Sequence, residues 1–77
     1  MSKTIATAII IATLSGEYER IAREWRANDG GLTWAAGSAL GCISSWINDM
    51  QKFDRVSRRY VNKMTECLRR NYVYLHF

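Results

Sequence analysis

The sequence has no proline, a single histidine and two cysteines among its 77 residues, and these shortages exclude several kinds of site. A structural zinc site needs about four ligands at set spacings, which Cys42, Cys67 and His76 cannot supply. Each cysteine falls on or beside the apolar face of a predicted helix, where a thiol is usually a small buried hydrophobic group. We therefore expect no metal and no cofactor, and a reducing compartment, the cytoplasm.

Groups suited to catalysis are also scarce. Nucleophilic catalysis needs a serine or cysteine held beside a base, and the only candidate base is His76, one residue from the end of the sequence. The acids at positions 17–24 alternate with arginines on the wet face of a predicted helix, which is typical of ion pairing. Residues 30–31 lack the further glycines and the lysine of a phosphate-binding loop. We therefore expect neither an enzyme nor a small-molecule substrate.

A long apolar stretch is missing as well. Lys3 precedes an apolar run at positions 5–14, but a run of about ten residues is half of what crosses a bilayer, and no cleavage site follows it. We therefore expect no export and no membrane insertion. A chain of this size supports at most one domain, residues 1–77, and proteins this small often gain stability from a partner or a second copy.

The hydrophobic pattern predicts helices. Asn28, Asp29, Gly30 and Gly31 form the strongest break, and before it apolar residues recur at three- and four-residue steps from Ile11 to Trp25. Beyond the break, Thr33 can cap a second helix, and a third helix follows it. Each of these two segments places its apolar residues on one side. The predicted fold is all-α, a compact three-helix unit with helices at about 4–27, 33–51 and 54–72.

The first segment also allows another structure. Many residues between Thr4 and Thr13 are β-branched, which favours a strand, and Ser15 followed by acids makes a good helix N-cap. The alternative is therefore an α+β fold, with a short N-terminal strand before a helix that starts at Gly16. We favour a helix because the apolar stripe continues unbroken to Trp25. Whether the second and third helices are continuous stays open.

Positive charge is concentrated in the second half of the chain. The formal net charge is +4, and the bases and acids of residues 1–31 balance. Five bases beyond position 50 fall nearly in a line at helical spacing, which raises affinity for acidic protein surfaces or phosphates: Lys52, Arg55, Arg59, Lys63 and Arg70. The predicted partner is a host protein or complex with an acidic surface, with nucleic acid as the alternative. The predicted partner-binding residues are Lys52, Arg55, Arg58, Arg59, Lys63 and Arg70.

The second predicted helix has an unusual uncharged face. No ionic side chain occurs between Thr33 and Asn48, and small residues line the side opposite the apolar arc. Small side chains let a second backbone approach closely. The sequence therefore predicts a candidate homodimer face made of Gly37, Gly41, Ser44 and Asn48.

The same region resembles the helix-turn-helix of small phage repressors. With Gly41 as the turn glycine, Gly37 is the small residue four positions earlier, and the surrounding apolar positions are suitable. The would-be recognition helix at 44–52 carries Asp49 and only one base, which is unfavourable for reading DNA. A small helix-turn-helix DNA-binding regulator is therefore the alternative function.

A second resemblance lies in the first helix. Ile11, Ala12 and Thr13, followed by Gly16 and Glu17 and then an apolar residue, resemble the opening of the Kil proteins of lambdoid phages. Those are small inhibitors of bacterial cell division that bind the protein FtsZ. The resemblance transfers no site residue. It implies a phage-encoded protein that binds and inhibits a host machine, either the division apparatus or a defence complex such as CRISPR-Cas.

Overall fold

Three helices and two short strands make up the computed structural model, which describes residues 4–27, 34–75 and 77. Strand β1 (Thr4–Ala6) leads into helix α1 (Thr7–Ala27), and helix α2 (Trp34–Met50) follows. Strand β2 (Arg55–Ser57) then leads into helix α3 (Arg58–Arg70). The predicted three-helix unit is confirmed, and it is accompanied by the short N-terminal strand of the alternative.

The element boundaries correct the prediction in several places. The β-branched segment is a strand only as far as Ala6, because β2 offers three residues for pairing. From Thr7 the segment is helical, which buries Ile10 and Leu14 on one side of α1. The third helix begins at Arg58 rather than at position 54, because β2 separates it from α2. The predicted break at 28–31 and the predicted cap at Thr33 lie outside the described residues.

The two strands form an antiparallel pair. Thr4 lies opposite Ser57, Ile5 opposite Val56 and Ala6 opposite Arg55. The guanidinium of Arg55 donates from Nε to the Thr4 hydroxyl at 2.7 Å and from Nη2 to the Thr4 carbonyl at 2.8 Å. A two-stranded ribbon is marginal alone, so this pair depends on the helices beside it.

Thr7 joins the start of α1 to the turn that follows α2. Its backbone N–H donates to the Asp54 carbonyl at 3.0 Å. Its hydroxyl lies 2.5 Å from the Phe53 carbonyl and 3.0 Å from the Asp54 carbonyl. These contacts span 46 and 47 positions of the sequence. Only 5% of Thr7 is exposed, so its buried hydroxyl and N–H are satisfied by these carbonyls.

Both ends of α3 are capped by local hydrogen bonds. At the start, the Ser57 hydroxyl accepts from the Tyr60 N–H at 3.1 Å, as an N-cap does. At the end, the Tyr72 N–H donates to the Arg69 carbonyl and the Val73 N–H to the Leu68 carbonyl, which is the Schellman pattern. Tyr72 has a φ of 67°, the left-handed conformation that this reversal requires. The chain thereby turns back, and Val73 is buried.

One hydrophobic core draws on all three helices. The start of α1 lies at the end of α2, because Thr7 bonds to Asp54, so these two helices run antiparallel. Helices α2 and α3 are also antiparallel, because Cys67 meets Cys42 and the earlier Tyr60 meets the later Asp49. The particle measures 48 × 20 × 18 Å. No described helix is both long and apolar enough to span a membrane. The fully buried side chains are Ile10, Leu14, Ile43, Met50, Val61, Met64, Leu68 and Val73.

Replacing Thr7 by valine should lower the free energy of unfolding by about 1 kcal/mol, because it removes the buried hydroxyl that donates to the Phe53 carbonyl. Urea unfolding followed by circular dichroism measures the loss. The matched control is Thr13→Val, since the exposed Thr13 hydroxyl bonds only to the Ile9 carbonyl of its own helix. Equal losses in the two variants would show that Thr7 does not hold α1 in place.

Candidate partner-binding surface

Helix α3 is strongly amphipathic. Val61, Met64 and Leu68 are buried in the core, so the positions on the opposite side of the helix face solvent. Those positions hold five bases and one acid, Glu66, and all six side chains are exposed. We call this set of bases the cationic surface; it consists of Arg58, Arg59, Lys63, Arg69 and Arg70.

Most of the cationic surface is unpaired. Glu66 binds Arg70 at 3.0 Å, and within the described ranges none of the other four bases has a carboxylate at ion-pair distance. On α1, by contrast, Arg20 binds Glu17 and, at 3.0 Å, Glu24. The pKa of Arg20 is raised chiefly by its hydrogen bond to Glu17. The positive charge of α3 is therefore available to a partner.

Two of the predicted binding residues do not belong to the line on α3. Lys52 is exposed in the turn after α2, and Arg55 lies on β2, where its guanidinium bonds to Thr4. The helical spacing assumed for them was wrong because the helix begins only at Arg58. Arg58, Arg59, Lys63 and Arg70 do share the exposed side of α3. Arg69, which was not among the predicted residues, lies there with them.

An open groove of about 450 Å³ runs between α3 and the C-terminal segment. Arg58 and Arg69 lie on its α3 side, about 16 Å apart along the helix axis. The groove exists because the Schellman turn folds the chain back beside the helix instead of away from it. Its other lining residues are Asn62, Thr65, Glu66, Val73, Tyr74, Leu75 and Phe77.

The predicted dimer face is exposed. Gly37, Gly41, Ser44 and Asn48 all face solvent on α2. A Cβ placed on either glycine would meet no atom within 4 Å, so neither glycine serves packing within the described chain. The face stays a candidate for contact with a second copy.

The helix-turn-helix predicted around Gly41 is wrong. Helix α2 runs without interruption from Trp34 to Met50, so Gly41 lies in the middle of a helix. Leu40 and Ile43 are buried on either side of it, and helical spacing holds both against the core. With no turn at this position, α2 cannot form the two helices of that motif.

Cys42 and Cys67 lie side by side. Their sulfur atoms are 3.8 Å apart across the contact between α2 and α3, and both residues are half-buried. Burial, with help from the Cys67 thiol, raises the pKa of Cys42 to about 11. The sequence predicted two separate buried thiols and gave no sign that they meet, because they are 25 positions apart on different helices.

Tyr60 makes two contacts between α3 and α2. Its hydroxyl donates to Oδ2 of Asp49 at 2.5 Å, and its ring meets that of Trp46 edge-to-face with centroids 5.4 Å apart. Burial first, and then the bond to Asp49, raise the pKa of Tyr60 above its ordinary value. This contact fixes the first half of α3 against α2.

The described ranges contain no group of three or more histidine, cysteine or acidic residues that could hold a metal ion. No protein-family model, no curated protein and no solved structure matches the chain.

Replacing Gly37 and Gly41 by alanine should raise the free energy of unfolding of the monomer by about 0.5–1 kcal/mol per site, because alanine favours a helix and has room here. Thermal unfolding at low protein concentration measures this gain. If the face forms a dimer, the added methyl groups keep the two backbones apart, and sedimentation equilibrium will show weaker association in the variant. Unchanged association would argue against a dimer through this face.

Stability should fall as the pH rises past about 10, the ordinary tyrosine value. The folded chain favours the neutral Tyr60 phenol, so its pKa is higher there than in the unfolded chain. The unfolded chain therefore loses this proton first as the pH rises, which favours unfolding. Urea unfolding at pH 8 and pH 11 should show a larger loss in the wild type than in Tyr60→Phe. Tyr74→Phe, at a largely exposed tyrosine, is the control and should behave as the wild type.

Proposed function

We propose that this protein is a non-enzymatic binding protein that recognises an acidic surface on another protein and thereby inhibits or modulates it. The observation that supports this is the row of bases on α3, namely Arg58, Arg59, Lys63 and Arg69, none of which has an ion-pair partner among residues 4–27, 34–75 and 77. They project from one side of a single helix that is capped at both ends.

Unpaired exposed charges suit recognition. A partner does not have to break an internal ion pair to reach them, and a field of one sign speeds encounter with an acidic surface. The charges of α1 are less available, since Arg20 and Arg26 are within ion-pair distance of acids on their own helix. The partner therefore binds at α3.

The groove favours a protein partner over a nucleic acid. Arg58 and Arg69 line the same groove as the apolar residues Leu75 and Phe77, and protein interfaces are commonly enriched in arginine and aromatic residues. An acidic protein segment with an apolar residue in its middle fits these features best.

The resemblance to Kil proteins supports a more specific proposal, a phage-encoded inhibitor of a bacterial host machine in the cytoplasm. The resembling residues all lie on α1, where Ala12, Thr13 and Gly16 are exposed and Ile21 is buried. The target is the division apparatus or a defence complex such as CRISPR-Cas.

Reversing two charges of the cationic surface, with Arg59→Glu and Lys63→Glu together, should reduce partner binding at least tenfold while changing stability by less than about 1 kcal/mol. Both side chains are exposed, and neither has an ion-pair partner in the part of the chain that the structure describes, so we expect the fold not to depend on them. The tagged protein is used to capture partners from nuclease-treated bacterial lysate, and affinity for the captured protein is then measured with purified components.

The matched control is Arg23→Glu with Arg26→Glu, which changes the net charge equally but on α1. It should retain binding. Equal loss in both double variants would mean that net charge alone drives the interaction. Capture that disappears on nuclease treatment would assign the surface to nucleic acid and contradict the proposal.

A further inference from the structure

The contact between α2 and α3 holds two thiols at a fixed position. Cys42 and Cys67 face each other with a sulfur separation of 3.8 Å. The Ser38 hydroxyl donates to Oδ1 of Asn71 at 2.6 Å on one side of this pair, and Tyr60 bonds to Asp49 on the other. The register of the two helices is therefore fixed both before and after the cysteines.

From this geometry we propose that Cys42 and Cys67 are a site of reversible disulfide formation, which covalently fastens α3 to α2 when the protein meets a low-molecular-weight disulfide. The sulfurs must approach by roughly 2 Å to reach bonding distance. Rotation of each side chain about its Cα–Cβ bond is the motion that can bring its sulfur closer to the other. This inference does not depend on the proposed function.

The reaction is a pair of thiol–disulfide exchanges. One cysteine, as the thiolate, attacks a sulfur of the small disulfide RSSR, forms a mixed disulfide and releases one RS⁻. The second cysteine, also as the thiolate, attacks the protein sulfur of that mixed disulfide and releases the other RS⁻. The two cysteines lose two protons and two electrons, and RSSR is reduced to two RSH. Each attack needs a thiolate, and the pKa of Cys42 is raised. Formation of the disulfide should therefore be faster at alkaline pH than near neutrality.

The bond would change the behaviour of α3. It closes a loop between positions 25 apart that includes the second half of α2, β2 and most of α3, and a closed loop lowers the entropy of the unfolded chain. The helix that carries the cationic surface would then be joined to α2 by a covalent bond as well as by packing. In a reducing cytoplasm the pair stays as two thiols, and the bond forms when the surroundings become oxidising.

The test uses the full chain, reduced and then equilibrated with mixtures of oxidised and reduced glutathione at pH 8. After acid quenching, intact mass spectrometry should show a monomer lighter by about 2 Da with no glutathione attached. Its thermal midpoint should be higher by roughly 10 °C or more, and dithiothreitol should reverse both changes. In denaturant, the equilibrium constant for forming the disulfide with glutathione should be about a hundredfold smaller, because unfolding separates the two cysteines.

Cys42→Ser and Cys67→Ser are the controls, since each removes one sulfur and little volume. Each should take up one glutathione and gain no thermal stability under oxidation. The wild-type measurements decide the question even if either variant fails to fold. The proposal is overturned if the main oxidised product carries two glutathiones or is a linked dimer, or if denaturant leaves the equilibrium unchanged.

Discussion

The hydrogen bonds of Thr7 are the contact on which the arrangement of this chain depends. They bring the start of α1 onto the carbonyls of Phe53 and Asp54, just after α2 has ended. The three residues before Thr7 are thereby placed beside Arg55, Val56 and Ser57, so the strands pair in a single register. Ser57 is at once the last residue of β2 and the N-cap of α3. The position of α3 on the core therefore follows from a contact made at the opposite end of the sequence.

Helix α3 has two sides with different roles: one packs in the core, and the other carries the cationic surface. Its apolar stripe inserts Val61, Met64 and Leu68 into the core, and this burial leaves its bases in solvent. Its contacts with α2 are few but specific, through Tyr60, Cys67 and the Asn71 side chain. A helix held in this way combines a well-defined position with a surface that makes little contribution to stability, so the two can change independently.

The sequence predicted what depends on local periodicity and missed what depends on distant contacts. The stripe from Ile11 to Trp25 indicated α1, and the amphipathic pattern after position 54 indicated α3 and its exposed bases. The end of β1 at Ala6 could not be found locally, because β-branched residues continue past it and the pairing depends on β2, which lies about 50 positions away. The exposed bases of α3 followed from helical spacing, whereas the groove depends on a left-handed tyrosine that no turn residue announces. The adjacency of the cysteines depends on the register of α2 and α3, which sequence spacing does not reveal.

The elongated shape has a consequence for measurements in solution. A body of 48 × 20 × 18 Å is more than twice as long as it is wide, so it experiences more friction than a sphere of equal mass. It tumbles faster about its long axis than end over end, and nuclear relaxation rates of backbone amides will depend on the direction of each N–H bond. Gel filtration will also read the monomer as a larger particle. The number of copies in solution must therefore be taken from mass rather than from elution volume.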